Sequence, residues 1–147
     1  MRRRTVPALF FVFFVFAAAA AVRATSVAQY AAERQAILNH YAALAKKVDP
    51  NFKGFSAAAG KAFFLAHPAA ARPATPSCSS CHTTNPHNWG ETRAGKKIAP
   101  VAVSVTPSRF TDPRKVEMWF RRNCESVYGR TCTAFEKGNY ITFMASQ

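Results

Sequence analysis

Apolar residues change their spacing several times along this chain, and each change marks an element. From about Ala8 to Val22 they run without a polar interruption, Phe and Ala dominating. From Val27 to Val48 the pattern turns helical: Tyr30, Ile37, Tyr41 and Leu44 recur at helical intervals in an Ala-rich stretch without Pro or Gly, which predicts a first helix. Asp49-Pro50-Asn51 ends it. Ser56 to Ala66 predicts a second, short helix whose Phe63, Phe64 and Leu65 read as core residues. The Pro- and Ala-rich stretch from His67-Pro68 to Pro76 is a stiff connection. Thr83 to Phe110 shows no sustained period and reads as one long loop. Asp112-Pro113 is an N-cap followed by proline at the first helical position, opening a helix through Val116, Trp119 and Phe120 that is expected to end near Asn123. Thr133-Ala134-Phe135-Glu136 is a capping box for a last helix to about Ala145. The pattern predicts an all-α domain of short helices.

The first apolar run has a different purpose. Preceded by Arg2-Arg3-Arg4, it has the layout of a secretory signal peptide. Val22-Arg23-Ala24 places small or β-branched residues where the processing enzyme needs them, so cleavage is expected after Ala24, with Ala21 as a competing site. Residues 1–24 are then the leader and 25–147 a single exported domain in the periplasm. An uncleaved anchor is the alternative, although the run falls short of the ~20 residues that span a bilayer. The full chain of 147 residues carries 20 Lys and Arg against 7 Asp and Glu, a net charge of +13. Removing the four leader arginines leaves 16 basic residues against the same 7 acidic ones, or +9. The basic residues are scattered and no nucleic-acid motif accompanies them, so nucleic acid is excluded as a partner. An acidic redox protein suits the charge better, and membrane contact is expected only through such a donor.

Chemistry enters at Cys78-Ser79-Ser80-Cys81-His82. In an exported chain, Cys-x-x-Cys-His is the attachment signature of one covalently bound haem c. Two thiols three positions apart each form a thioether to the porphyrin, and the following histidine is placed as an axial ligand of the iron. The competing readings are a redox-active dithiol and half of a zinc site. The zinc reading lacks a second ligand pair, because Cys124 and Cys132 have the wrong spacing. Short helices around an attachment turn describe a small cytochrome c.

The opposite axial position decides between an electron carrier and a gas-binding haem. Met118 and Met144 would make an ordinary His/Met carrier, the alternative reading, but both sit within helical patterns where packing is the expected role. His40 lies in the first helix, His67 precedes a proline, and His87 follows His82 by five residues, too few to reach the far face of one iron. In an oxidising compartment Cys124 and Cys132 are expected to pair as a disulfide. Asn123, just before the first of them, reads either as a helix cap or as a residue held at the iron.

From Pro76 to Gln147 the chain resembles the sphaeroides haem protein family, oxygen-binding cytochromes on the class I cytochrome c fold. The likeness is carried by Pro76-Ser77-Cys78, Cys81-His82, Gly95-Lys96, Ile98-Ala99-Pro100, Arg109-Phe110-Thr111-Asp112, Trp119, Arg122-Asn123-Cys124, Gly129-Arg130 and Cys132-Thr133. The resemblance implies that Asn123 is the sixth haem ligand and that Cys124 and Cys132 form the family's disulfide. It also implies release of Asn123 on reduction, because an amide oxygen is a hard ligand suited to ferric iron. O₂, NO or CO would then bind, and storage, sensing and reduction of the gas all stay open. The donor it implies is a dihaem cytochrome c. Arg93 and Lys96, in the matched loop, are expected to offset the haem propionates, and Trp119 is expected in the core against the porphyrin. The chain departs from the family at Thr83, where glycine commonly follows the histidine, and at His87 and Trp89.

Overall fold

The computed structural model describes the backbone from residue 9 and side chains from residue 26; the leader expected over residues 1–24, with both cleavage sites, lies outside the residues whose side chains are described. Helix α1 spans Leu9–Val48, α2 Ala57–Leu65, α3 Ser79–His82, α4 Pro113–Tyr128 and α5 Ala134–Ala145. A small antiparallel hairpin pairs β1 (Gly90–Glu91) with β2 (Lys97–Ile98), Gly90 opposite Ile98 and Glu91 opposite Lys97. The all-α expectation is met, with this hairpin as the one departure among the described residues. Strands of two residues are too short to leave a periodicity in the sequence. The hairpin is set by its turn, where Thr92 N–H donates to the Lys96 carbonyl at 2.8 Å. Among the described residues no helix is long and apolar enough to cross a membrane.

The caps form as their residues dictate. Ser56 Oγ accepts from Ala59 N–H and opens α2. Asp112 accepts from the N–H groups of Arg114 and Lys115, with Pro113 in the first turn of α4. Thr133 and Glu136 close a complete capping box at α5. Helix α4 runs five residues beyond its expected end. Cys124 and Val127 continue the buried stripe begun by Val116 and Phe120, so the helix keeps its apolar face until Gly129 (φ 65°) turns left-handed and its N–H caps the Glu125 carbonyl.

The core lies where α1, α2, α4 and α5 meet. Ile37 and Tyr41 come from α1, Phe64 from α2, Phe120 from α4, and Tyr140, Ile141 and Met144 from α5. Each such burial contributes about 1.5–3 kcal/mol. The rings pack edge to face, Phe120 against Tyr140 at 5.6 Å between centroids and Tyr41 against Phe120 at 6.3 Å. Polar ties cross the same core. The Tyr41 hydroxyl donates to one oxygen of Glu117, whose other oxygen accepts from Lys137 Nζ at 2.8 Å, linking α1, α4 and α5.

Near the start of α5, Arg130 donates twice to Glu136, at 2.6 and 2.9 Å. This pairing, opposed by partial burial and aided by the Thr133 N–H, holds the Glu136 carboxyl below its ordinary value of 4.5. The unfolded chain therefore binds this proton first, so the stability contributed is present above pH 4.5 and lost as pH falls through the lower folded value. Denaturant titrations at descending pH should show Glu136→Gln less stable near neutrality, and less sensitive to acid below pH 4.5, than the unmodified protein.

Candidate haem-binding site

Ser77 builds the attachment turn. Its Oγ accepts from Ser80 N–H at 3.2 Å while Ser80 Oγ accepts from Ser77 N–H at 3.1 Å, a reciprocal cap on a single helical turn. His82 N–H then reaches the Cys78 carbonyl at 3.2 Å. The hairpin presses on the other side of this turn. A Cβ on Gly90 would stand 2.1 Å from the Cys81 carbonyl oxygen, so only glycine lets β1 lie against the attachment segment.

Cys78, Cys81 and His82 all line one cavity of about 670 Å³, within the ~300–1,000 Å³ range of ligand sites. Its walls come from α3, the hairpin, the 98–112 segment, one side of α4, and Phe63 and Tyr140. Ile98, Val101, Phe110, Phe120 and Val127 make it largely apolar. Burial, with the Arg109 charge adding to it, pushes His82 down to about 4. Its imidazole is therefore neutral at ordinary pH, the form that ligates a metal. Burial pushes the Cys78 thiol up to about 12, its own backbone N–H opposing and the neighbouring Cys81 adding. A thiol so hard to ionise makes a poor redox dithiol. No group of three or more His, Cys, Asp and Glu able to hold a metal ion occurs among the described residues. An apolar cavity with two thiols and a neutral imidazole on its wall fits a covalently attached haem.

The other expected residues divide cleanly. Asn123 lines the cavity. It sits five residues before the end of α4, so the cap reading fails. Cys124 and Cys132 are joined with Cα atoms 5.7 Å apart, tying α4 to the start of α5. Met144 is wholly buried in the core, and Met118 lines a separate groove with Arg114 and Arg121. His40, His67 and His87 are exposed and absent from the cavity walls. Among the described residues, those walls carry one histidine, one asparagine and no methionine. Lys96 lines the cavity, whereas Arg93 is exposed at the hairpin turn and does not.

Two placements differ from expectation. Trp119 is 53% exposed on the cavity rim, with the Arg122 guanidinium 5.8 Å above its ring. It faces outward because Val116 and Phe120 already occupy the buried stripe of α4. Arg109, not singled out from sequence for any role, lines the cavity from the loop. The signal was present, since Arg109 opens one of the matched segments.

Thr83, immediately after His82, has φ 61° and ψ 169°, a region that is nearly glycine-only. Its hydroxyl donates to the Asn85 carbonyl at 2.7 Å, which helps hold the strained residue in place.

Comparisons with known proteins agree with this geometry. Residues 50–144 match a family described as a domain of unknown function, DUF1924. The chain is 49% identical over 88 residues to the cytochrome c-type protein SHP of Cereibacter sphaeroides, covering 60% of this chain and 68% of that one. It is 35% identical over 108 residues to cytochrome c'' of Methylophilus methylotrophus, covering 73% and 75%. The structure of oxidised SHP, described as an oxygen-binding cytochrome c, superposes with a TM-score of 0.71 at 41% identity, over 78% of this chain and 96% of that one. Crystalline oxidised cytochrome c'' gives 0.65 at 33% identity, over 79% and 95%.

Backbone strain of this kind costs about 1–3 kcal/mol, part of which glycine returns as chain entropy. Thr83→Gly should therefore raise stability by about 1 kcal/mol in denaturant titrations; a loss of stability would show that the Thr83 hydroxyl outweighs the strain.

Proposed function

The chain belongs to the sphaeroides haem protein family of c-type cytochromes, and from that premise we propose that it is a periplasmic monohaem cytochrome that binds a diatomic gas when reduced. Cys78 and Cys81 would hold the haem through thioethers and His82 would ligate its iron. In the oxidised protein Asn123 would be the second protein ligand, through its amide oxygen. When bound, the haem contributes one-electron chemistry and, in the ferrous state, a coordination position open to O₂, NO or CO. Reduction would favour release of Asn123, because its hard oxygen is matched to ferric iron, and its amide N–H would then be a donor beside the gas. One observation carries this reading: among the described residues, the cavity holding the attachment motif offers Asn123, and neither methionine nor a second histidine.

The remaining residues support that role. Cys124 and Cys132 persist as a disulfide in the oxidising periplasm, and closing so short a loop contributes about 2–3 kcal/mol while stiffening the helix that carries Asn123. Lys96, Lys115 and Arg122 give the cavity rim positive charge beside the exposed Trp119, suited to an acidic donor such as a dihaem cytochrome c.

Absorption spectra test both halves. Asn123→Ala should change the spectrum of the oxidised haem-loaded protein and leave the CO-induced shift of the reduced protein in place. An unchanged oxidised spectrum would remove Asn123 as a ligand, and no shift with CO in the unmodified protein would remove gas binding.

A further inference from the structure

We infer that Arg109 and Tyr140 form a two-donor site for a carboxylate, that of a haem propionate, and that the buried Arg34 positions it. The inference rests on the haem reading above and concerns residues to which the sequence attached no role.

Arg109 is a guanidinium with donors to spare. Of its five N–H groups, Nε–H donates to the Pro100 carbonyl at 3.1 Å and one Nη2–H to the Ala99 carbonyl. Three remain, on a side chain that lines the cavity. No carboxylate is among the charges that act on it: burial lowers its pKa and Tyr140 alone works the other way. Tyr140 is 8% exposed and lines the same cavity. Its ring is packed by Phe63, Phe64, Phe110 and Phe120, yet its hydroxyl has no hydrogen-bond partner among the described residues. A desolvated cation and an unspent phenolic O–H within electrostatic reach of each other match an anion with two acceptor oxygens. Carboxylate fits, because the planar fork of arginine takes both oxygens or shares one with the phenol.

Arg34 explains why the fork stays in place. Only 8% exposed, it reaches from α1 to donate to the carbonyls of Pro107 at 2.5 Å and of Arg109 itself at 3.2 Å. It has no carboxylate partner either, burial being the cause that lowers its pKa. Arg34 does not line the cavity, so it acts as a positioning residue. Lys96 and Arg93, the cations expected at the propionates, are both exposed, where an ion pair is worth little.

An unpaired propionate favours ferric over ferrous iron, so its pairing raises the reduction potential. The haem-loaded variants Arg109→Gln, Tyr140→Phe and Arg34→Gln should all have lower potentials than the parent. Arg109→Lys should recover part of the loss, and the double variant of Arg109 and Tyr140 should fall less than the two singles together, since both act on one carboxylate. The propionate bending band in the resonance Raman spectrum should shift in the same variants. Tyr140→Phe keeps the ring and its packing, so it reads the site even where an arginine variant does not fold. An unmoved band and potential in Tyr140→Phe, with haem covalently bound, would overturn the inference. A parent protein without covalent porphyrin would instead overturn the haem reading, and this inference with it.

Discussion

Two arginines, Arg34 and Arg109, that have no carboxylate partner among the described residues hold the wall of the cavity in shape. Between β2 and α4 the chain has no regular structure to organise it, so its backbone carbonyls need donors from elsewhere. Arg34 supplies donors to Pro107 and Arg109, Arg109 to Pro100 and Ala99, and the Thr106 hydroxyl a further one to Pro100 at 2.9 Å. Hydrogen bonds from charged groups are worth about 1.5–3 kcal/mol each, enough to define a segment that packing by itself would leave loose. The cation that shapes the wall, Arg109, also lines the cavity.

Helix α4 joins that wall to the rest of the protein. One side carries Val116, Phe120, Cys124 and Val127 into the core, while Trp119 and Asn123, one turn apart, reach the cavity. The Cys124–Cys132 link and the Glu117–Lys137 pair fasten the same helix to α5. Asn123 therefore stands on a braced element rather than on a loop. The ligand role proposed for Asn123 would benefit from this, because release of the side chain would need no rearrangement of the backbone.

On the opposite side, α3 is squeezed between the Ser77 cap and the hairpin. Gly90 permits the contact and Thr83 absorbs the resulting turn in an unfavourable backbone conformation. A relative carrying glycine after the histidine would reach the same path without strain. The cost at Thr83 is local, and the well-packed α1, α2, α4 and α5 core supports it.

The cofactor, its attachment turn, the helix starts and the all-α class were all legible from residues near one another in the chain. Caps such as Asp112-Pro113 and Thr133 to Glu136 act within one helical turn, and Cys78 to His82 carries its chemistry within five residues, so local spacing determines them. What spacing could not determine was which distant side chains share the cavity. That Asn123 lines it from mid-helix, that Arg93 stays outside while Arg109 enters, and that Trp119 faces solvent depend on α4 continuing to Gly129 and on Arg34, 75 residues away, pinning a loop. Those outcomes follow from competition for buried positions and for hydrogen-bond donors, and only the assembled tertiary structure brings the competitors together.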